Sequence, residues 1–356
     1  MPGRRGADAI RVGLRRAARL TTREVRCLPK VELHLHLEGS IRRALARHLL
    51  AEARVPRRSP FASRMAELYR FRDFKGFLRA YAQICSCLTS AEALQRVVRD
   101  LGCHLRREGV LHAEIFFSPS VHARNGLPYE DVVGALERGA EAVETAGGPS
   151  LRFIADGVRQ WGAAVFSEMV ASLKRRPSHR VVAVGLGGDE KALPARRFAR
   201  GFDRARQAGL SAVVHAGEGV SADGVAQAVD WLRPERIAHG IGATGDASVM
   251  RRLRRTGTVL DVCITSNLKT AAVSGLHAHP LPRLLEEGIR VTLGTDDPAL
   301  FRVTLSGEYV KAHRLGVTRT ALGRLALEAA HASILPAAAR RKLEGRLQRA
   351  WRVFGR

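Results

Sequence analysis

The chain has 356 residues, room for one large barrel domain or two smaller ones, and at 46% hydrophobic it has material for a core, which excludes a disordered chain. The formal charge of +25 invites a polyanion, but arginine supplies most of the basic residues and is dispersed along the chain. With only four tyrosines and three tryptophans to stack on bases, the composition predicts no dedicated nucleic-acid partner.

Residues 1–26 carry eight arginines, one Asp and one Glu without a compact apolar segment. That rules out a standard secretory signal and predicts a basic, disordered tail ahead of a barrel over 27–356, although an organellar leader shares the composition. Five cysteines (Cys27, Cys85, Cys87, Cys103 and Cys263) form no paired framework, as expected in a reducing compartment. No apolar run approaches the ~20 residues of a membrane span. The expectation is a cytoplasmic protein with no membrane contact.

Eight short apolar runs follow, at Val31–His36, Val110–Phe117, Leu151–Asp156, Val181–Leu186, Ser211–His215, Arg236–His239, Thr258–Cys263 and Arg290–Thr295. Most are continuously apolar, as parallel strands covered on both faces are. Helical spacing fills 129–146, 162–175, 194–208, 221–232, 246–255 and 280–288 between them. Regular alternation of this kind predicts an α/β fold, a single (β/α)8 TIM-type barrel. Residues 41–109 read as a helical insertion between strands 1 and 2, packed on the barrel or closing over it as a lid. Residues 306–352 read as extra C-terminal helices.

Several of the strands end in chemistry. His34 and His36, two apart on strand 1, point to one side and can converge on a cation. Barrel closure would bring Asp296, after strand 8, beside them, and His215 approaches from the end of strand 5. Three imidazoles and a carboxylate make a borderline N/O set suited to one Zn²⁺, with Fe²⁺ or another divalent ion as the alternative. His239, ending strand 6, could orient a metal-activated water or take its proton; alone it would read as a core histidine. Glu218 could donate a proton to substrate or, more simply, cap a helix start. Asp297 should diverge from its neighbour Asp296 and serve as a hydrogen-bond acceptor. Gly188, in the Gly187-Gly188-Asp189-Glu190 turn, would let backbone approach a flat ligand. Ser266-Asn267 lie on the same rim, whereas His277 and His279 read as solvent-facing.

Leu28-Pro29-Lys30-Val31-Glu32-Leu33-His34-Leu35-His36-Leu37-Glu38-Gly39-Ser40, His215-Ala216-Gly217-Glu218, His239-Gly240, Thr265-Ser266-Asn267 and Thr295-Asp296-Asp297-Pro298 together resemble the adenosine/adenine deaminase family. The resemblance spans roughly residues 28–330. It implies a mononuclear zinc hydrolase that replaces a purine 6-amino group with oxygen and releases ammonia. On that pattern His34, His36, His215 and Asp296 match the zinc ligands. Glu218 matches the donor to ring N1, His239 the residue activating the water, Asp297 the residue near N7, and Gly188 the backbone contact to N3. Glu38 stands where adenosine-specific members usually carry Asp, on the sugar side, so its carboxylate is expected to accept hydrogen bonds from ribose hydroxyls and to disfavour AMP. The main expectation is a purine nucleoside of adenosine type as the small-molecule partner. Glu38, the Gly-Gly-Asp-Glu turn and Ile264 before Thr-Ser-Asn resemble members acting on 6-aminodeoxyfutalosine, while Glu114-Ile115-Phe116-Phe117 leans toward the free-adenine group. A metal-dependent nuclease or phosphoesterase, or a catalytically silent binding barrel, are readings from other classes.

Overall fold

A computed structural model describes residues 20–52, 69–71, 73–219 and 221–355. Eight parallel strands form one sheet in sequential order: β1 (Lys30–His36), β2 (Val110–Phe117), β3 (Ser150–Val158), β4 (Val181–Gly187), β5 (Ser211–Ala216), β6 (Arg236–His239), β7 (Val259–Val262) and β8 (Val291–Leu293). The fold is the expected TIM-type barrel. Strand β1 is buried along its whole length, because neighbours cover one face and the barrel interior the other. Observed β3 runs longer than its apolar segment predicts, and β8 is only three residues long. Closure is made just beyond β8, where Leu35 and Asp296 form a parallel bridge and the His36 N–H donates to the Asp296 carbonyl at 2.7 Å. That closure carries Asp296 to the end of β1.

The barrel interior below the C-terminal rim is filled in two layers by different means. Phe116, Ile154, Ala183, Val213 and Ala238 make an inner apolar layer. Beneath it the fully buried Arg236 pairs with Glu114 at 2.7 Å and Asp261 at 2.8 Å. Buried ion groups cost desolvation, and this cluster offsets it by sharing one guanidinium between two carboxylates. Glu114 is therefore part of the barrel floor, away from the catalytic rim.

Within the insertion, helices Arg43–Glu52, Phe74–Cys85 and Ala91–Arg107 are described; the remainder around 53–68 lies outside the described residues. Phe77 stacks on Phe301 at 5.1 Å between ring centroids, with Phe71 edge-on to the same ring at 5.6 Å. Packing against the barrel is thus one role of this helical segment. At the other terminus, Trp351 of helix Ala337–Phe354 donates to the Pro29 carbonyl at 2.8 Å and locks the C-terminal helices beneath β1. The tail expectation needs one correction. Residues 1–19 lie outside the described residues, but Thr22–Arg26 is a helix held by a reciprocal Thr21–Glu24 capping box, with Leu20 and Val25 buried.

Candidate active site

The C-terminal ends of the strands surround a cavity of about 330 Å³, lined among others by His36, His215, Glu218, His239, Asp296 and Asp297. A larger cleft of about 770 Å³ at the N-terminal end holds none of these. Side chains from β1, β5, β6 and the turn after β8 reach the first cavity because parallel strands in a barrel all end on one rim.

His34 Nδ1 faces the Asp261 carbonyl at 3.0 Å, which places the ring proton there and leaves the Nε2 lone pair free. That Nε2 is buried without a hydrogen-bond partner and lies 3.4 Å from Asp296 Oδ1. His36 Nε2 lies 3.3 Å from the same oxygen and 3.1 Å from His215 Nε2. Two imidazole nitrogens facing a third atom at this separation are a poor hydrogen-bond set but a good ligand set. Tetrahedral neighbours each ~2.0–2.1 Å from zinc stand about 3.3 Å apart. Donor atoms close enough together to hold a metal fall into two overlapping groups, His34, His215, His239 and Asp296, and His36, Asp296 and Asp297. The donor set is a His/His/His/Asp metal site.

Charges follow from burial. Burial opposes ionisation of Asp296, yet the His34 and His36 imidazoles beside it hold its carboxyl well below the ordinary range. Asp297 is pushed well above that range by burial and by the Asp296 charge, and both its oxygens are unpartnered. Burial and then the Asp296 charge push Glu218 up to about 8. His239 is driven down to about 3 by burial. Glu218 does not cap a helix: the next helix starts at Ala222, and its carboxylate lies 3.5 Å from His239 Nε2.

Asp296 and Asp297 were expected to diverge as strand neighbours do. Instead both line the cavity, because Asp296 sits at φ +62°, a left-handed kink outside strand alternation. Gly39 makes room for this: a Cβ there would meet Asp297 Oδ1 at 1.7 Å. Gly188 lies on the cavity wall at φ +95°, a conformation that favours glycine.

Glu38 is placed differently from its expected role. Its side chain is fully buried, with Oε1 accepting from the Ser118 N–H at 2.8 Å and facing His122 Nε2 at 2.8 Å, while Tyr81 donates to Oε2 at 2.9 Å. Burial alone would raise its pKa, but the hydrogen bond and charge of His122 lower it. With both oxygens engaged, Glu38 positions Tyr81, and Tyr81 is the group on the cavity wall. Glu38→Ala would strand His122 and two further donors in the interior, so a loss of about 3–5 kcal/mol is expected, read as a lower thermal midpoint. A midpoint equal to the parent's would show the network is dispensable.

His279 is a second correction. It was expected in solvent, yet it is buried and its Nε2 meets Asn267 Oδ1 at 3.2 Å, while His277 remains outside the core. Sequence reasoning missed Asp156 altogether. This β3 residue lines the cavity, has an unpartnered Oδ1, and is pushed up to about 7 by burial. Its only sequence signal was an acid ending an apolar run. Phe116, in the stretch that leans toward the free-adenine group, stacks on His36 at 4.9 Å and fixes that ring's plane.

A family model described as adenosine deaminase matches residues 29–350. An aminodeoxyfutalosine deaminase of Acidothermus cellulolyticus is 38% identical over 300 residues, covering 82% of this chain and 84% of its own. An adenine deaminase of Cupriavidus taiwanensis is 36% identical over 291 residues, covering 82% and 81%. Among solved structures, an amidohydrolase from Burkholderia ambifaria with bound Zn superposes at TM-score 0.88, with 23% identity and 96% coverage of each chain, a likeness of fold. The chain belongs to the adenosine deaminase family. It is a deaminase, a hydrolase acting on C–N bonds. No helix among the described residues is long and apolar enough to cross a membrane.

Proposed function

We propose that the protein hydrolytically removes the 6-amino group of a purine carrying an extended sugar-side substituent, with 6-aminodeoxyfutalosine as the substrate it favours. The observation that carries this reading is the 38% identity to an aminodeoxyfutalosine deaminase across more than four-fifths of both chains. The cavity supports it, because beyond the site residues its wall continues along Phe74, Phe77, Leu78 and Tyr81, apolar surface that a bare purine would leave unused. Arg124, its guanidinium 3.7 Å from the Trp161 ring centroid, gives that outer wall a cation suited to an acidic substituent. Free adenine is the second reading, favoured by the 36% identical adenine deaminase. Adenosine, the main expectation from the sequence, ranks behind both, because the relatives that carry the comparison are an aminodeoxyfutalosine deaminase and adenine deaminases.

One Zn²⁺ per chain would be held by His34, His36, His215 and Asp296, and when bound it supplies Lewis-acid activation of water near neutral pH. The chain's own groups do the rest. A Glu218 carboxyl protonated at neutral pH hands its proton to ring N1, without which aromatic C6 resists addition. His239 orients the water from the same side as Asp296. Asp297, neutral in its buried position, offers a hydrogen bond to N7, and the Gly188 backbone approaches N3.

Ammonia release from 6-aminodeoxyfutalosine, adenine, adenosine, 2′-deoxyadenosine and AMP tests the reading. The expected order of kcat/KM places 6-aminodeoxyfutalosine first. Adenine at the head would move the assignment to the second reading, and no release from any of the five would reject purine deamination.

A further inference from the structure

Three hydrogen bonds behind the catalytic rim have a fixed direction. The backbone N–H of Leu281, which can only donate, points at His279 Nδ1 at 3.1 Å. His279 is buried, and burial pushes it down to about 4, so it is neutral and carries its single proton on Nε2. That N–H faces Asn267 Oδ1 at 3.2 Å, which orients the amide and leaves Nδ2 as donor. Asn267 Nδ2 lies 3.2 Å from His239 Nδ1. His239 Nδ1 therefore accepts, and the ring proton sits on Nε2.

The far side of the ring agrees. His239 Nε2 faces Asp296 Oδ2 at 3.7 Å, the side toward which a donor would point, with the Glu218 carboxyl 3.5 Å away. Asp296 Oδ2 also accepts from Ser266 Oγ at 2.6 Å, so it acts as an acceptor on this side of the site. The ring is held in place by a left-handed backbone at φ +68°, and its 1% exposed side chain leaves water no other route to Nε2 than the cavity.

We infer that His279 and Asn267 are positioning residues that lock His239 as its Nε2–H tautomer, so that His239 serves the reaction as a neutral hydrogen-bond donor and not as the group that takes the water's proton. The inference rests on the reading that His239 faces the reacting centre. In the sequence Asn267 stands in the Thr265-Ser266-Asn267 motif on the rim, and His279 reads as a loop histidine in solvent. In space they become a relay that begins at a backbone amide and ends at His239 on the cavity wall. A base at this position would need Nε2 bare, which requires the relay to run the other way, and the Leu281 N–H forbids that direction.

The test reads the tautomer directly. In zinc-loaded protein labelled with ¹⁵N-histidine, long-range ¹H–¹⁵N correlation distinguishes protonated from bare ring nitrogens, and the His239 signals are those missing in His239→Asn. The expected result is a protonated Nε2 and a bare Nδ1; a bare Nε2 overturns the inference. Asn267→Asp presents only acceptors, so it should draw the proton to Nδ1. A tautomer reversal of this kind has cost ~10⁴ in kcat in the serine-protease triad. Here a fall of about 10²–10⁴ in kcat is expected with zinc content equal to the parent's and the ¹⁵N pattern of His239 inverted. His279→Ala should lower kcat as well, and His279→Gln should restore part of it, because a Gln amide can donate to Asn267 Oδ1. Parent-like kcat in Asn267→Asp would overturn the inference. If the parent releases no ammonia from any purine, the proposed function fails while the spectrum still decides the tautomer.

Discussion

His215→Ala is expected to lose bound metal and deaminase activity in the same sample. Its Nε2 stands 3.1 Å from His36 Nε2 and opens on the cavity, so the imidazole is one corner of the donor set, not a support behind it. Burial and the His36 charge keep His215 well below its ordinary pKa, so its lone pair is available at neutral pH without displacing a proton. Loss of an outer-shell partner typically costs ~10–100-fold in metal affinity or activity, and removal of a ligand should exceed that. The measurements are elemental analysis after dialysis and kcat on the best substrate of the panel. Parent-level zinc in the variant would remove His215 from the ligand set and shift the assignment to His239, which shares the cluster.

Glu218→Gln is expected to do the opposite: keep its metal and lose most turnover. The carboxyl is isosteric with the amide and lies 3.5 Å from His239, outside the closest donor spacings around Asp296. What the change removes is an acid whose pKa, near 8, leaves it protonated at neutral pH. A general acid contributes ~10²–10⁴ in rate, so kcat should fall by that range at unchanged zinc content. The sign of the pH dependence follows. The protonated form is the active one, so parent activity declines as pH rises through about 8, and the variant's residual activity shows no such limb. Turnover of Glu218→Gln at the parent rate, or an alkaline limb surviving in it, would assign the proton donation to another group.

Much of this protein is written in local sequence. Strand ends at His36, His215 and His239 are legible because parallel barrel strands are continuous apolar runs and catalytic groups in this fold sit at their C-terminal tips. Periodicity also yields the order of helices and strands, since each element's pattern depends on neighbours a few residues away. Closure then follows from topology, which by itself sets Asp296 beside the end of β1 that carries His34.

Other features depend on contacts that no local pattern encodes. Glu38 looked free to meet a sugar, and its partner His122, 84 residues on, is what engages it. His279 looked like a loop residue in solvent until the turn before helix Leu281–Glu286 folded it onto Asn267. Asp156 took on meaning only when the barrel placed it against the same cavity as His215. The kinks at His239 and Asp296 lie in loop dihedrals, where hydrophobic spacing carries no signal. The sequence by itself determined the barrel, its rim and the residue types gathered there, because those rest on periodicity and strand polarity. Only the tertiary structure decided which carboxylates are free and which way each proton points, because those depend on burial and on hydrogen-bond partners far apart in the chain.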